Sequence, residues 1–210
     1  MISKAITYLR SLRDPMQQMK LLGFVGALFV AYTLVVSLTG APKPWDEQAP
    51  RYLVGEMEKF ERARPPRPLP GTTLIDGDAN VTLASIADGR VLVINLWATW
   101  CAPCLEELPS LDALQAALVD DVQVVAVALE GGDGSAQQAM FDRLGVQNLR
   151  LLRDPRLSLS RTYTEGMRLP LTVIYDRQGR EIGTLSGAAD WSSPEALRLV
   201  RAIGAGALPR

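Results

Sequence analysis

Two near-continuous apolar runs, Val91–Trp97 (VLVINLW) and Val122–Leu129, bracket a segment in which Leu105, Leu108, Leu111, Leu114 and Leu118 recur at helical spacing. Apolar residues at every position predict strands buried on both faces, and the spaced leucines predict a helix over Ala102–Leu118. Upstream, Thr72–Ile75 and Val81–Leu83 flank the turn-rich DGDAN and predict a hairpin, followed by a single helical turn over Ser85–Asp88. Downstream, the pattern predicts a helix over Ser135–Leu144 closed by Gly145, a short strand over Leu149–Leu152, and a helix from Asp154-Pro155 through Tyr163. A second hairpin follows, Leu171–Tyr175 and Glu181–Leu185 around the turn at 176–179. The last helix has Ser193 as cap and Pro194 in its first turn. Strands and helices alternating in this order predict an α/β class domain, a mixed sheet covered by helices on both faces.

The N-terminal quarter follows a different pattern. Leu21–Leu38 is an 18-residue run without a charge, long enough to cross a bilayer core of ~30 Å as a helix. Lys4, Arg10, Arg13 and Lys20 precede it against a single Asp14, so the positive-inside bias places the N-terminus in the cytoplasm. A cleaved secretory signal is the alternative. The run is longer than a signal core, and Pro42 obstructs the best cleavage position, after Ala41. The expected organisation is a cytoplasmic segment 1–20, a retained single-pass anchor 21–41, a Pro- and charge-rich tether 42–68, and a folded domain 69–210 beyond the membrane. Within the tether, Leu53, Met57 and Phe60 predict a short helix over Arg51–Ala63, and the proline cluster at 65–70 predicts extended chain.

Composition then narrows the chemistry. The 210 residues include two cysteines and no histidine, with a formal net charge of −1. Histidine-dependent nucleophile systems and His-ligated metals are excluded, and two cysteines cannot complete a four-thiolate zinc site. The near-neutral balance and 6% aromatic content give no footprint for nucleic acid. Both cysteines fall in Trp100-Cys101-Ala102-Pro103-Cys104, at the junction of a buried strand and a helix. Cys101 at the cap position faces the free amides and the positive helix end, which favour thiolate. Cys104 lies one turn on, close enough to form a disulfide or to resolve a mixed one. Pro103, with its fixed φ and no amide hydrogen, suits the first turn.

The segment VINLWATWCAPCLEELP resembles the active-site segment of thioredoxin-like proteins, and most of all the membrane-anchored periplasmic thiol:disulfide oxidoreductases of the TlpA/ResA/CcmG-like family, TlpA in particular. The resemblance spans roughly residues 69–205, including the added N-terminal hairpin, the Leu169-Pro170 junction and the Gly-Ala-Ala-Asp-Trp segment. It implies a thioredoxin-like fold behind the membrane helix, a redox-active Cys101–Cys104 disulfide and no other cofactor. It also implies that Glu107, three residues after Cys104, tunes the site; the alternative is a solvated helix charge beside Glu106. Asn95 stands where ordinary thioredoxins carry a buried aspartate, which moves any proton relay towards Glu107. The resemblance further makes Pro170 a cis-proline, Leu169 a backbone contact for an extended partner, and Trp100, with Ala102 and Pro103, part of the partner-facing surface. Leu171 departs from the family's usual Thr or Ser, while Trp97 reads equally as core.

A structural disulfide across so short a loop contributes little. A soft-metal dithiolate for Cu(I) and a non-catalytic docking module remain the alternatives to thiol–disulfide exchange. Ala102-Pro103 resembles the dipeptides of reductases, which predicts a reductase. The family implies a membrane thiol transporter of the DsbD or CcdA type as electron donor. The expected partners are exported cysteine proteins, either apocytochrome c or copper-handling oxidase-assembly proteins, at the bacterial inner membrane with the catalytic domain periplasmic.

Overall fold

A computed structural model of the chain describes residues 22–32, 51–163 and 168–208. The chain divides into two units, Met1–Lys43 and Pro44–Arg210. In the first, residues 22–32 are helical. Among the described residues no helix is long and apolar enough to cross a membrane. The anchor expected over 21–41 extends beyond these residues on both sides and so lies partly outside them.

The second unit is built on one eight-stranded sheet. Its strands are β1 (Phe60–Arg62), β2 (Thr73–Asp76), β3 (Ala79–Thr82), β4 (Val91–Trp97), β5 (Val122–Ala128), β6 (Arg150–Arg153), β7 (Leu171–Tyr175) and β8 (Glu181–Ser186). The helices are α1 (Leu83–Ala87), α2 (Ala102–Ala117), α3 (Ser135–Leu144) and α4 (Pro194–Gly204). The sheet runs β1-β8-β7-β4-β5-β6-β2-β3. Pairing is parallel between β4 and β5 and between β5 and β6, and antiparallel elsewhere. The two runs that looked buried on both faces are the central parallel pair, and all seven residues of β4 are buried. Their side chains divide by alternation. Val91, Val93 and Trp97 join the core under α2, α3 and α4, while Leu92, Ile94 and Leu96 join a second core on the other face. That second face is closed by Leu83 and Ile86 of α1 and by Leu159 and Tyr163.

Three expectations need correction. The helix expected over Arg51–Ala63 is a 3-10 turn at Gly55–Lys59 followed by β1. Met57 and Phe60 are buried as their spacing required, but a tight turn plus a strand satisfies that spacing as well as an α-helix does. The chain from there to Leu69 lies along β8 rather than apart from the sheet: Ala63 N–H donates to Ile182 O, Glu181 N–H to Arg67 O, and Leu69 N–H to Gly179 O. Arg67 adds a two-pronged ion pair to buried Glu181, at 2.6 and 2.9 Å. The helix expected from Asp154 through Tyr163 reduces to a 3-10 turn at Ser160–Tyr163. Buried Asp154 draws the amides of Ser158 and Leu159 onto its carboxylate, and Leu157 takes a left-handed φ of 55° that no α-helix accommodates.

Candidate active site

Cys101 caps α2 with extended backbone (φ −92°, ψ 95°), and Pro103 sits in the first turn. The loop between β4 and α2 is held from below. Glu130, just beyond β5, accepts from the Thr99 amide at 2.6 Å and the Thr99 hydroxyl at 3.0 Å. Cys101 and Cys104 form a disulfide with Cα atoms 5.3 Å apart. Cys104 is fully buried, Cys101 is 5% exposed, and Trp100 is 73% exposed beside them. Ala102 and Pro103 are exposed. Pro103 has no amide hydrogen, and the Cys104 amide donates to Cys101 O at 3.0 Å, so it is the place of the Cys101 sulfur at the positive end of the helix dipole that favours a thiolate once the pair is reduced.

Glu107 is 2% exposed. The buried residues of α2 run Cys104, Glu107, Leu108, Leu111, Leu114 and Gln115, so the carboxyl occupies a position in the apolar stripe and is not a solvated charge. Its neighbour Glu106 is exposed. Three donors converge on Glu107: Asn95 Nδ2 on Oε1 at 2.6 Å, and Ala189 N–H and Trp191 Nε1 on Oε2 at 3.2 and 3.3 Å. Asn95 lies on the same face of β4 as Val93 and Trp97, and also donates to Thr172 Oγ1, its cross-strand partner on β7. Burial pushes the Glu107 carboxyl up to about 7, although all three hydrogen bonds pull it the other way. Beside it opens a cleft of about 540 Å³, lined among others by Glu56, Glu106, Glu107, Ser110, Asp190 and Ser192.

The Leu169–Pro170 bond is cis. Leu96 pairs with Leu171, so Pro170 precedes β7 at the end of the sheet where β4 runs out towards Cys101. Leu169 is half-buried and Pro170 buried. The residues expected at the site therefore gather at one end of the sheet. Sequence reasoning missed Glu130, Ser110 and the role of Trp191. Glu130 follows a buried parallel strand directly, where a carboxylate is positioned to meet neighbouring loops, and that was the available signal. The Ala189 and Trp191 contacts join residues some 80 positions apart and leave no local pattern.

A family model described as Redoxin matches residues 65–198. The thioredoxin-like protein YneN of Bacillus subtilis (strain 168) is 40% identical over 95 residues, 44% of this chain and 54% of that protein. The thiol:disulfide interchange protein HelX of Rhodobacter capsulatus is 28% identical over 113 residues, 54% of this chain and 61% of that protein. The chain thus spans between half and two thirds of the length of these relatives. A solved structure assigned as the thiol:disulfide interchange protein DsbE from Chlorobium tepidum aligns with a TM-score of 0.56 at 23% identity, covering 71% of this chain and 99% of that one, a likeness of fold alone. With a thioredoxin-like α/β fold and a family match over most of its length, the chain belongs to the redoxin family.

Proposed function

We propose that the chain is a membrane-tethered periplasmic thiol:disulfide oxidoreductase working in the reducing direction. Its targets are exported cysteine proteins in cytochrome oxidase copper-site assembly or cytochrome c maturation. One observation carries this reading: the chain's two cysteines form a disulfide across the first turn of α2, with a buried carboxyl one turn further along the same stripe. In the reduced protein the Cys101 thiolate attacks a partner disulfide, forming a mixed disulfide and expelling one partner thiolate. Cys104 gives its proton to the Glu107 carboxylate and attacks Cys101 Sγ, which closes the Cys101–Cys104 bond and releases the second partner thiolate. Two electrons pass to the partner. A membrane dithiol donor of the DsbD or CcdA type restores them. Trp100, Ala102, Pro103 and half-buried Leu169, backed by buried Pro170, form the face on which the partner segment rests. The Ala102-Pro103 dipeptide supports the reducing direction.

The test uses the full chain. Cys101→Ser abolishes disulfide reduction, and Cys104→Ser accumulates a mixed disulfide with the physiological partner, identified by mass spectrometry. A reduction potential more negative than about −180 mV fits the reducing direction, and a more positive one redirects the reading to oxidase or isomerase. Tight Cu(I) binding without exchange activity selects the metal alternative. Retained biological function in Cys101→Ser selects the docking module.

A further inference from the structure

The loop 188–192 is fastened to α2 at two points one helical turn apart. Glu107 Oε2 accepts from Ala189 N–H and from the Trp191 indole. Ser110 Oγ accepts from Trp191 N–H at 3.0 Å, and its one hydrogen is shared between Glu107 O at 2.8 Å and Ala189 O at 3.4 Å. Trp191 is fully buried, and filling the core needs only its ring. The direction of its N–H calls for a separate explanation, because the indole N–H of Trp97, equally buried, has no partner among the described residues. The N–H of Trp191 instead ends on the one carboxyl placed in the α2 stripe.

We propose that Trp191 is a positioning residue for Glu107, its indole N–H and the loop it anchors holding the carboxyl in place and setting how readily it takes the Cys104 proton. This rests on the exchange reading of the Cys101–Cys104 pair given above. A donor to a carboxylate favours the ionised form, and burial opposes it. The groups packed around Glu107 bias it in known directions. Asn95 on β4 donates and cannot titrate. Thr172 on β7 occupies the far side of Asn95. The cleft beside it carries Glu56, Glu106 and Asp190 with no lysine or arginine lining it among the described residues, so none of these stands in for a lost donor. Removing the indole N–H therefore shifts Glu107 further towards its protonated form, and at neutral pH leaves fewer molecules able to accept a proton from Cys104.

The experiment follows the reduced full-length chain, in detergent, reacting with an aromatic disulfide that releases a coloured thiolate at each step. The first release reports mixed-disulfide formation at Cys101 and the second reports ring closure by Cys104. In the unaltered chain the closure rate rises through an inflection between pH 5 and 9, and Glu107→Gln removes it. Trp191→Phe keeps an aromatic ring and shifts the inflection upward by about one pH unit, slowing closure several-fold at pH 7 without changing the first release. Ser110→Ala loosens the same loop with the indole intact and moves the inflection in the same direction, which keeps the proposal testable if Trp191→Phe does not fold. Adding Trp191→Phe to Glu107→Gln produces no further pH effect. An inflection unmoved by both Trp191→Phe and Ser110→Ala overturns the proposal and leaves the exchange reading standing. Absence of the second release in every chain overturns the exchange reading and the proposal with it.

Discussion

At the scale of single residues, Glu107 fills a place in the α2 stripe that a leucine would occupy without burying a charge. Its carboxyl, held at about 7 chiefly by burial, ties stability to pH in a definite direction. The folded state binds the proton more tightly than the unfolded chain, whose glutamates titrate near 4.5. The stabilisation is therefore complete below about pH 4.5 and is lost as pH rises through about 7. We expect unfolding free energy to fall by on the order of 3 kcal/mol across that window, from 2–3 units of pKa difference. Glu107→Gln flattens this slope, as chemical denaturation at a series of pH values will show. The new amide can be accommodated because Asn95 Oδ1 has no partner among the described residues, so Asn95 can turn its amide end for end and accept where it now donates. A slope that persists in the variant would assign the pH dependence to another group.

At the scale of elements, β1 is the part of the domain least visible in the primary structure, and Gly183 is the residue that admits it. A Cβ at Gly183 would collide with the carbonyl of Glu61 and lie 2.7 Å from the Phe60 ring. Gly183→Ala should push β1 off β8 and cost ~1–3 kcal/mol, read as a lower melting temperature and faster proteolysis between residues 55 and 69; an unchanged melt would remove β1 from the stability argument. The central elements were legible because their signals are local. Val91–Trp97 and Val122–Leu129 are apolar at nearly every position, α2 repeats its leucines every three or four residues, and the cysteines announce the site. β1 was not legible because the prolines that follow it argue against a sheet interior. An edge needs only alternate amides, and Pro68 forms its bridge to Arg180 from such an edge. The helix expected after Asp154 failed for a tertiary reason, since Asp154 is buried and claims the amides that would have continued the turn. Glu107 was readable as a residue three positions after Cys104. Its three donors were not, because they come from β4 and from a loop distant in sequence.

At the scale of the molecule, the site is assembled at one end of the sheet from segments far apart in sequence: the β4–α2 turn, the chain entering β7, and the loop before α4. The β8 edge of the sheet is closed by β1 and by Arg67, whose guanidinium pairs with buried Glu181 and stacks 4.8 Å over the Tyr163 ring. Removing residues through 50 should leave a cooperative, monomeric domain. Removing them through 69 strips away Met57, Phe60 and the Arg67 pairing, and should give a less cooperative melt and larger species by light scattering; equal behaviour of the two would make the segment dispensable. The reason lies in the backbone of β8. Uncovered, its outward amides and carbonyls would form a template on which an extended segment of another copy could build, the first step of edge-to-edge association. Residues 60–69 take up those groups beforehand. What looks like a leash in the primary structure thus acts as a stopper, and molecules concentrated among their own copies find no open strand along β8 on which to grow.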